Sequence, residues 1–337
     1  MCNILVTGGA GFIGRNLVNW LLFSHQDHHA VTVIDNLSNH ARKYPPSSIS
    51  KTLSEHGKRL AFYKEDIRDT RKISDIIKHE KIDTCVHLAA KVSVFESIGD
   101  PTETLDVNSK GTLSMLEACS QNKISTFIFA SSSEVYGSPF RLPSSEKHPV
   151  EPLPPYAASK LAGEALVSAY RNSGKIENAV SLRIFNVYGK DQNPSYAGVI
   201  TRFDSRLLKE LPPLIYGDGT RSRDFISVDD VVNCIILAAK RQQNRQKLNE
   251  KPMYVYPRGV SNVGTGIATS INTFADKMIK ISQLGVNQMH KKAINRRSEV
   301  KDSYADTMKA TELLRFKAQK VLEDRLKDVL GHKFHKE

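Results

Sequence analysis

Glycines crowd one short stretch near the start of the chain: Gly8, Gly9, Gly11 and Gly14 in Val6-Thr7-Gly8-Gly9-Ala10-Gly11-Phe12-Ile13-Gly14. They follow a short apolar strand over residues 3–7 and precede an apolar helix running from about Phe12 to Ser24. A glycine triplet that leaves a strand and opens a helix is the context in which such a turn binds a dinucleotide. Gly8 permits the tight turn, Gly11 lets a pyrophosphate approach the backbone, and Gly14 lets the helix pack on the strand. The helix start at Phe12 and Ile13 then offers N–H groups and partial positive charge to the phosphates.

Strands and helices alternate for more than half the chain. Strands are expected at Ala30–Ile34, Arg59–Tyr63, Thr84–Leu88, Ser125–Ala130 and Ala179–Ile184. Helices are expected at Thr70–His79, Thr102–Gln121 and Tyr156–Asn172, and a polar loop with a short helix over Asn36–Gly57. This alternation implies an α/β fold, a Rossmann-type doubly wound parallel sheet. Beyond Asn186, prolines at 194, 212, 213, 252 and 257 break the chain into shorter pieces. The expected division is a dinucleotide-binding domain over 1–186, with a return near 228–240, and a smaller mixed α/β substrate lobe over 187–337. Thr307–Leu330 reads as an amphipathic helix pair on the outside.

Asp35 closes the second strand roughly 20 residues beyond the glycine turn, where a carboxylate meets the adenosine ribose hydroxyls and repels a 2′-phosphate. No arginine follows in Asn36-Leu37-Ser38, so NAD is expected rather than NADP, with Asn36 alongside Asp35. Asp66 and Ile67, after the third strand, are placed to contact adenine.

Tyr156 and Lys160 are four apart at a helix start, so the phenol and the ammonium share one face. Of the 11 tyrosines, only Tyr156 has a lysine at this spacing. Ser132 lies near the end of the fifth strand, at the edge where doubly wound folds place their sites. These groups suit hydride chemistry on an alcohol. Such chemistry needs a base, and a nearby ammonium and a positive nicotinamide lower a phenol's pKa from about 10.

Part of the net charge of +12 is concentrated late in the chain. Lys240–Arg258 holds six basic residues and one acid, and Lys291–Lys301 holds five and one. A solvated basic surface is the plain reading of these runs; no aromatic stripe interleaves them, so a small anionic substrate is favoured over nucleic acid. The cysteines at 2, 85, 119 and 234 show no paired or metal-ligand spacing. No metal is therefore expected, and a reducing cytoplasmic setting is. The N-terminus has no secretory pattern, and no apolar run reaches membrane-spanning length.

Taken together, these motifs resemble the extended short-chain dehydrogenase/reductases, in particular the NAD-dependent epimerase/dehydratase group and its UDP-glucose 4-epimerase type. The resemblance spans nearly the whole chain. It rests on the turn at 7–14, His87-Leu88-Ala89-Ala90, Asn108, residues 131–137, Tyr156 to Lys160, Arg183 to Gly189, Arg223 to Asp230, Asn262 to Gly266, and Ser303 to Asp306.

It implies that Tyr156 is the base and acid, that Lys160 holds the nicotinamide ribose, and that Ser132 bonds the reacting oxygen. Leu88, Ala89, Ala90 and Asn108 join the cofactor site. Ser93, Asn186, Val199, Tyr216, Arg223, Arg296 and Ser303 join the substrate site, with the two arginines clamping a diphosphate. The substrate implied is a UDP-hexose and the reaction 4-epimerisation through a 4-keto sugar. A homodimer is implied through helices 102–121 and 156–172.

Two features qualify the resemblance. Glu134 stands where a plain 4-epimerase often has a small residue, which keeps a nucleotide-sugar dehydratase or a UDP-glucuronate decarboxylase in play. Dehydratases of the dTDP-glucose type place Asp just before that Glu, and here it is Ser133. Ser303 is small at a position that limits room around sugar C2, so UDP-N-acetylhexosamines are accommodated. A non-catalytic NAD-binding regulator is the minor alternative, at odds with the presence of both Tyr156 and Lys160.

Overall fold

The structure, a computed structural model, describes residues 2–23, 29–38, 59–189, 192, 198–248, 259–282, 291–293 and 300–327. Most of the loop expected over Asn36–Gly57 lies outside the described residues. The strands β1 (Asn3–Thr7), β2 (Ala30–Ile34), β3 (Leu60–Tyr63), β4 (Thr84–His87), β5 (Thr126–Ser132) and β6 (Asn178–Ile184) fall close to the expected bounds.

These strands form one seven-stranded parallel sheet. Its order is Val260–Val263, β6, β5, β4, β1, β2, β3. The strand order reverses at β1, which pairs with β2 on one side and β4 on the other. The crevice beyond the carboxyl ends there is where doubly wound sheets bind ligands.

Alternation along the strands feeds two cores. Ile4 and Val6 of β1 pack on one face with Leu17 and Leu21 of the helix Phe12–Phe23 and with Val231 and Ile235 of the helix Val228–Leu248. Leu5 faces the other way. It packs in the cluster that holds Ile73 and Ile77 of the helix Thr70–His79, Met115 and Leu116 of the helix Gly111–Gln121, and Val167 of the helix Pro155–Asn172.

Three differences from the sequence reading have physical causes. First, the long helix expected over Thr102–Gln121 is broken into Pro101–Leu105, a π-helical turn at Asp106–Lys110, and Gly111–Gln121. The π turn centres on Asn108, whose side chain is drawn to the main chain of Lys91. Such turns recur at functional sites.

Second, the chain returns to the large sheet as a helix and then again as Val260–Val263 beside β6. The motif at Asn262–Gly266 therefore begins inside the main sheet. Ser261 and Asn262 interrupt that strand's apolar pattern, so it carries no periodic signal. Third, the C-terminal helix Met308–Leu314 is anchored rather than laid on the outside: Ala310, Leu314 and Phe316 are buried in the main core.

Short strands build the second lobe. Asn186–Tyr188 pairs with Phe225–Ser227, and Ser222–Arg223 lies between Thr269–Ser270 and Asp302–Ser303. Leu214–Tyr216 pairs with Lys291–Ala293. Phe203, Phe225 and Phe274 form this lobe's aromatic core, with the latter two rings stacked at 4.4 Å. No helix among the described residues is long and apolar enough to cross a membrane.

The helix Pro155–Asn172 is bolted to the sheet by a buried ion pair. Glu164 accepts from Arg183 Nε at 2.9 Å and Nη2 at 2.8 Å, and from the Ser131 hydroxyl at 2.5 Å. Both ionic side chains are 5% exposed. Removing one partner strands the other charge in the interior, which typically costs about 3–5 kcal/mol. Glu164→Ala is therefore expected to lower the unfolding free energy in a urea titration by roughly that amount. A change no larger than that of an average surface substitution contradicts the assignment.

Candidate functional site

A cleft of about 350 Å³ opens at the carboxyl edge between β1 and β4. Gly8, Gly11, Phe12, Ile13 and Gly14 line it from the glycine turn, and Asp35, Asn36, Asp66 and Ile67 from the ends of β2 and β3. Leu88, Ala89 and Ala90 follow from β4, and Ser132, Tyr156 and Lys160 from β5 and the helix beyond it.

The turn admits no larger residues at two points. Gly8 has φ +68°, and a Cβ there would sit 2.7 Å from Ala89 N. A Cβ at Gly14 would sit 2.2 Å from Gly8 O. At Gly11 the only near contact would be Gly8 O at 3.1 Å, so that backbone is open to a close-approaching group. The first N–H groups of an α-helix lack intrahelical acceptors. The turn thus forms a cradle for a diphosphate.

Asp35 has a second task besides lining the cleft. It accepts from Ala10 N–H at 3.0 Å and Leu37 N–H at 2.8 Å, which ties the glycine turn to the end of β2. Asp66 is held by Arg68 through Nε at 3.0 Å and Nη2 at 2.8 Å, and Asn36 Nδ2 donates to it at 3.2 Å. The Arg68 guanidinium keeps its carboxyl below the usual carboxylate range.

Tyr156 and Lys160 face the cleft together. The Lys160 ammonium donates to Ala130 O at 2.9 Å and lies 5.1 Å from the Phe129 ring centroid and 5.9 Å from that of Tyr156. Burial pushes the lysine down to about 8. Burial also pushes the Tyr156 phenol up to about 12, with the Ser132 hydroxyl opposing and the Glu134 carboxylate adding to the rise. The expected lowering of the phenol is therefore absent in the protein alone, because desolvation outweighs the Ser132 hydrogen bond. Glu134 does not line the cleft; its backbone N–H donates to Ser132 Oγ at 3.2 Å, and its carboxylate acts on Tyr156 through space.

Two expected contact residues brace the site instead. Asn108 is 2% exposed, and its amide is committed to Lys91 N and O at 2.7 and 2.9 Å and to Ser159 Oγ at 2.9 Å. It clamps the loop after β4 against the helix of Tyr156, and it does not line the cleft. Ser93 caps the helix Val94–Gly99, its hydroxyl accepting from Glu96 N–H at 3.1 Å.

His87 opens the His87–Ala90 motif at the end of β4. It is 1% exposed, and burial lowers its pKa to about 3, so the ring is neutral. Thr112 Oγ1 donates to Asn108 O at 2.6 Å, so it accepts from His87 Nε2 at 3.1 Å. His87 Nδ1 then accepts from Thr7 Oγ1 at 2.7 Å. Thr7 in turn accepts from Ala89 N–H at 3.2 Å, so the chain of bonds holds the ends of β1 and β4 in register.

Of the other expected substrate residues, Asn186, Val199, Tyr216, Arg223 and Ser303 lie on short elements of the second lobe and are not in the cleft lining. Ser303 pairs in register with Arg223, and Asn186 with Phe225. Arg223 donates to Ser222 O at 2.8 Å, Val300 O at 2.8 Å and Lys301 O at 3.1 Å. Val199 starts the helix Val199–Leu207, and Tyr216 ends its short strand, 36% exposed. Arg296 lies outside the described residues. On the lobe side, Phe185, Val187 and Gln192 line the cleft and were not singled out in the sequence, although Phe185 and Val187 fall within the Arg183–Gly189 motif.

Comparison with known proteins gives a consistent result. A family model described as GDP-mannose 4,6 dehydratase matches residues 5–329. A UDP-glucose 4-epimerase of Mycolicibacterium smegmatis is 36% identical, over 79% of this chain and 78% of that protein. The UDP-N-acetylglucosamine 4-epimerase of Methanobrevibacter ruminantium, solved with UDP-N-acetylmuramic acid, superposes with a TM-score of 0.83. It shares 32% identity and covers 98% of this chain and 97% of the other. The UDP-glucuronic acid 4-epimerase of Bacillus cereus, solved with UDP-glucuronic acid and NAD, has a TM-score of 0.81, 31% identity and 98% coverage of both chains. The glycine cradle and the Asp35 carboxylate fit the diphosphate and ribose of NAD.

The clearest mutational check on the cradle is Gly14→Ala. Its Cβ would have to displace the Gly8 carbonyl, so the purified variant is expected to lose bound dinucleotide while far-UV circular dichroism still reports the sheet. Full retention of NAD by a folded variant contradicts the cradle.

Proposed function

We propose a reaction from one premise: the chain belongs to the GDP-mannose 4,6 dehydratase family, in the NAD-dependent epimerase/dehydratase group of the extended short-chain dehydrogenase/reductases. Its cofactor is NAD, and its reaction is epimerisation at C4 of a UDP-hexose. The observation that carries this reading is that Tyr156, Lys160 and Ser132 line the same cleft as the glycine turn. Residues 1–186, with the return near 228–240, hold the dinucleotide, joined in the main sheet and core by Val260–Val263 and Met308–Leu314, and the rest of 187–337 holds the nucleotide-sugar.

Each side chain has a step. Ser132 holds the C4 oxygen by its hydroxyl, and the Tyr156 phenolate takes the C4 hydroxyl proton. Lys160 stabilises that phenolate by charge and anchors the nicotinamide ribose. NAD, when bound, would supply the hydride acceptor and donor, and its positive ring would lower the phenol's pKa. The 4-keto sugar turns over in the site, and Tyr156 returns the proton to the oxygen on the new face. Arg223 and Arg296 hold the diphosphate by forked hydrogen bonds, with Asn186 beside the sugar and Tyr216 along the uridine.

Ser303 is small, so an N-acetyl group at C2 is accommodated, and UDP-N-acetylhexosamines stand beside UDP-glucose and UDP-galactose as substrates. Glu134 favours a second reading. Its carboxylate is close enough to Tyr156 to raise its pKa, as an additional acid or base would need to be in UDP-glucuronate decarboxylation or dehydration. The protein is proposed to be cytoplasmic, with free cysteines at 2, 85, 119 and 234. It is further proposed to be a homodimer through helices 102–121 and 156–172, where Leu105 is 42% exposed. Light scattering then reads twice the 37.6 kDa chain mass.

Incubation with UDP-glucose, UDP-N-acetylglucosamine and UDP-glucuronate, followed by NMR of the products, tests the reaction. A C4 epimer is expected, and Tyr156→Phe lowers turnover by about 10²–10⁴ while keeping NAD bound. A pentose with loss of CO2, or a 4-keto-6-deoxy sugar, would replace the epimerase reading with the second one.

The pH profile follows from the order of the two pKa values. With Lys160 near 8 and Tyr156 near 12, the pair loses its first proton near pH 8. Below that point, the share of molecules holding phenolate beside ammonium rises tenfold per pH unit. Above it, that share is constant until the second proton leaves. The rate is therefore expected to rise to about pH 8 or below and then level. In Lys160→Met the rise continues through pH 8. An identical break in both proteins contradicts the assignment.

A further inference from the structure

Asp224 directly follows Arg223 and is fully buried. The proposed reaction makes no use of its carboxylate, yet both oxygens are occupied. Oδ1 accepts from the Thr265 N–H at 2.9 Å and the Thr265 hydroxyl at 2.6 Å. Oδ2 accepts from the N–H groups of Gly266 at 2.9 Å and Ala305 at 3.1 Å. Four donors fill the lone-pair capacity of a carboxylate. The packing has no slack, since a Cβ on Gly264 would lie 2.6 Å from Asp224 Oδ2.

The main chain of the same residue makes the remaining links. Its N–H donates to Ser303 O at 2.9 Å. Its carbonyl accepts from Asn186 N–H at 3.1 Å and Asn186 Nδ2 at 3.2 Å. Segments far apart in sequence, bearing Asn186, Arg223 and Ser303, thus converge on one residue. A buried carboxylate is costly unless fully bonded, so this arrangement marks a place where separate segments must be held in fixed register.

We infer that Asp224 is the positioning residue of the nucleotide-sugar subsite, setting the register of Asn186, Arg223 and Ser303 and so the affinity for the nucleoside diphosphate part of the substrate. It does so without touching the substrate. The inference rests on the UDP-hexose reading above. Tyr156, Lys160 and the glycine turn lie on other elements, so affinity and chemistry separate.

The test compares NAD-loaded wild type, Asp224→Asn and Thr265→Val by calorimetric titration with UDP and by steady-state kinetics. Asparagine turns an amide NH2 toward donors that need an acceptor, which leaves buried groups unpaired. The UDP Kd and the UDP-hexose KM are expected to rise about tenfold or more, the change produced by about 1.4 kcal/mol. The fall in kcat is expected to be the smaller effect, with NAD content unchanged. Thr265→Val removes one hydroxyl bond and raises Kd and KM by a smaller factor. It decides the matter if the Asp224 variant does not fold.

Unchanged UDP affinity in the folded variants overturns the inference. So does a parallel loss of NAD content, kcat and affinity, which is the signature of a merely structural residue. A wild type that binds UDP but turns over no UDP-hexose sinks the epimerase reading alone, and the UDP titrations still decide the role of Asp224.

Discussion

The site depends on a lysine ammonium held in a place that disfavours its charge. Lys160 is 4% exposed, packed over Phe129 and bonded to the carbonyl of Ala130 at the end of β5. Burial lowers its pKa, and its hydrogen bond and neighbouring rings keep it in one position. That position puts the ammonium 5.9 Å from the Tyr156 ring centroid, on the same side of the cleft. The phenol is raised by the same burial, so the two groups are poised against each other, and a cation bound in the cleft tips the balance toward phenolate.

Everything beneath that pair serves to hold it still. The buried bonds of Glu164 to Arg183 and Ser131 fix the height of the helix on the sheet, two turns beyond Tyr156 on the same face. Asn108 ties that helix to the loop after β4, while His87 and Thr7 lock β4 to β1. The glycine cradle and the helix of Tyr156 therefore rest on one parallel sheet, and the second lobe carries its own hub at Asp224. Placement of Ser132, Tyr156 and Lys160 at the cleft comes from sheet register.

Most of the first lobe was legible because its signals are local. Gly8, Gly11 and Gly14 act within one turn, and Tyr156 and Lys160 within one helical turn, so sequence spacing alone brings them together. The six strands carry apolar patterns of their own. What escaped notice depends on distant partners. The π turn at Asp106–Lys110 exists because Lys91 draws in Asn108, and helix periodicity cannot report that pull. The seventh strand hides behind Ser261 and Asn262, and Asn262 is committed to bonds with Tyr136, Glu146 and Ser144. Asp224 reads as one more charge beside Arg223 until the fold brings residues 265, 266 and 305 around it.

In the proposed epimerisation a hydrogen leaves sugar C4 and returns to it within one site, with Tyr156 moving only the hydroxyl proton. Turnover of UDP-hexose carrying deuterium at C4, in ordinary water, tests it directly. The epimer is expected to retain the deuterium at C4, read by NMR and mass spectrometry. Replacement of that deuterium by solvent hydrogen would contradict it.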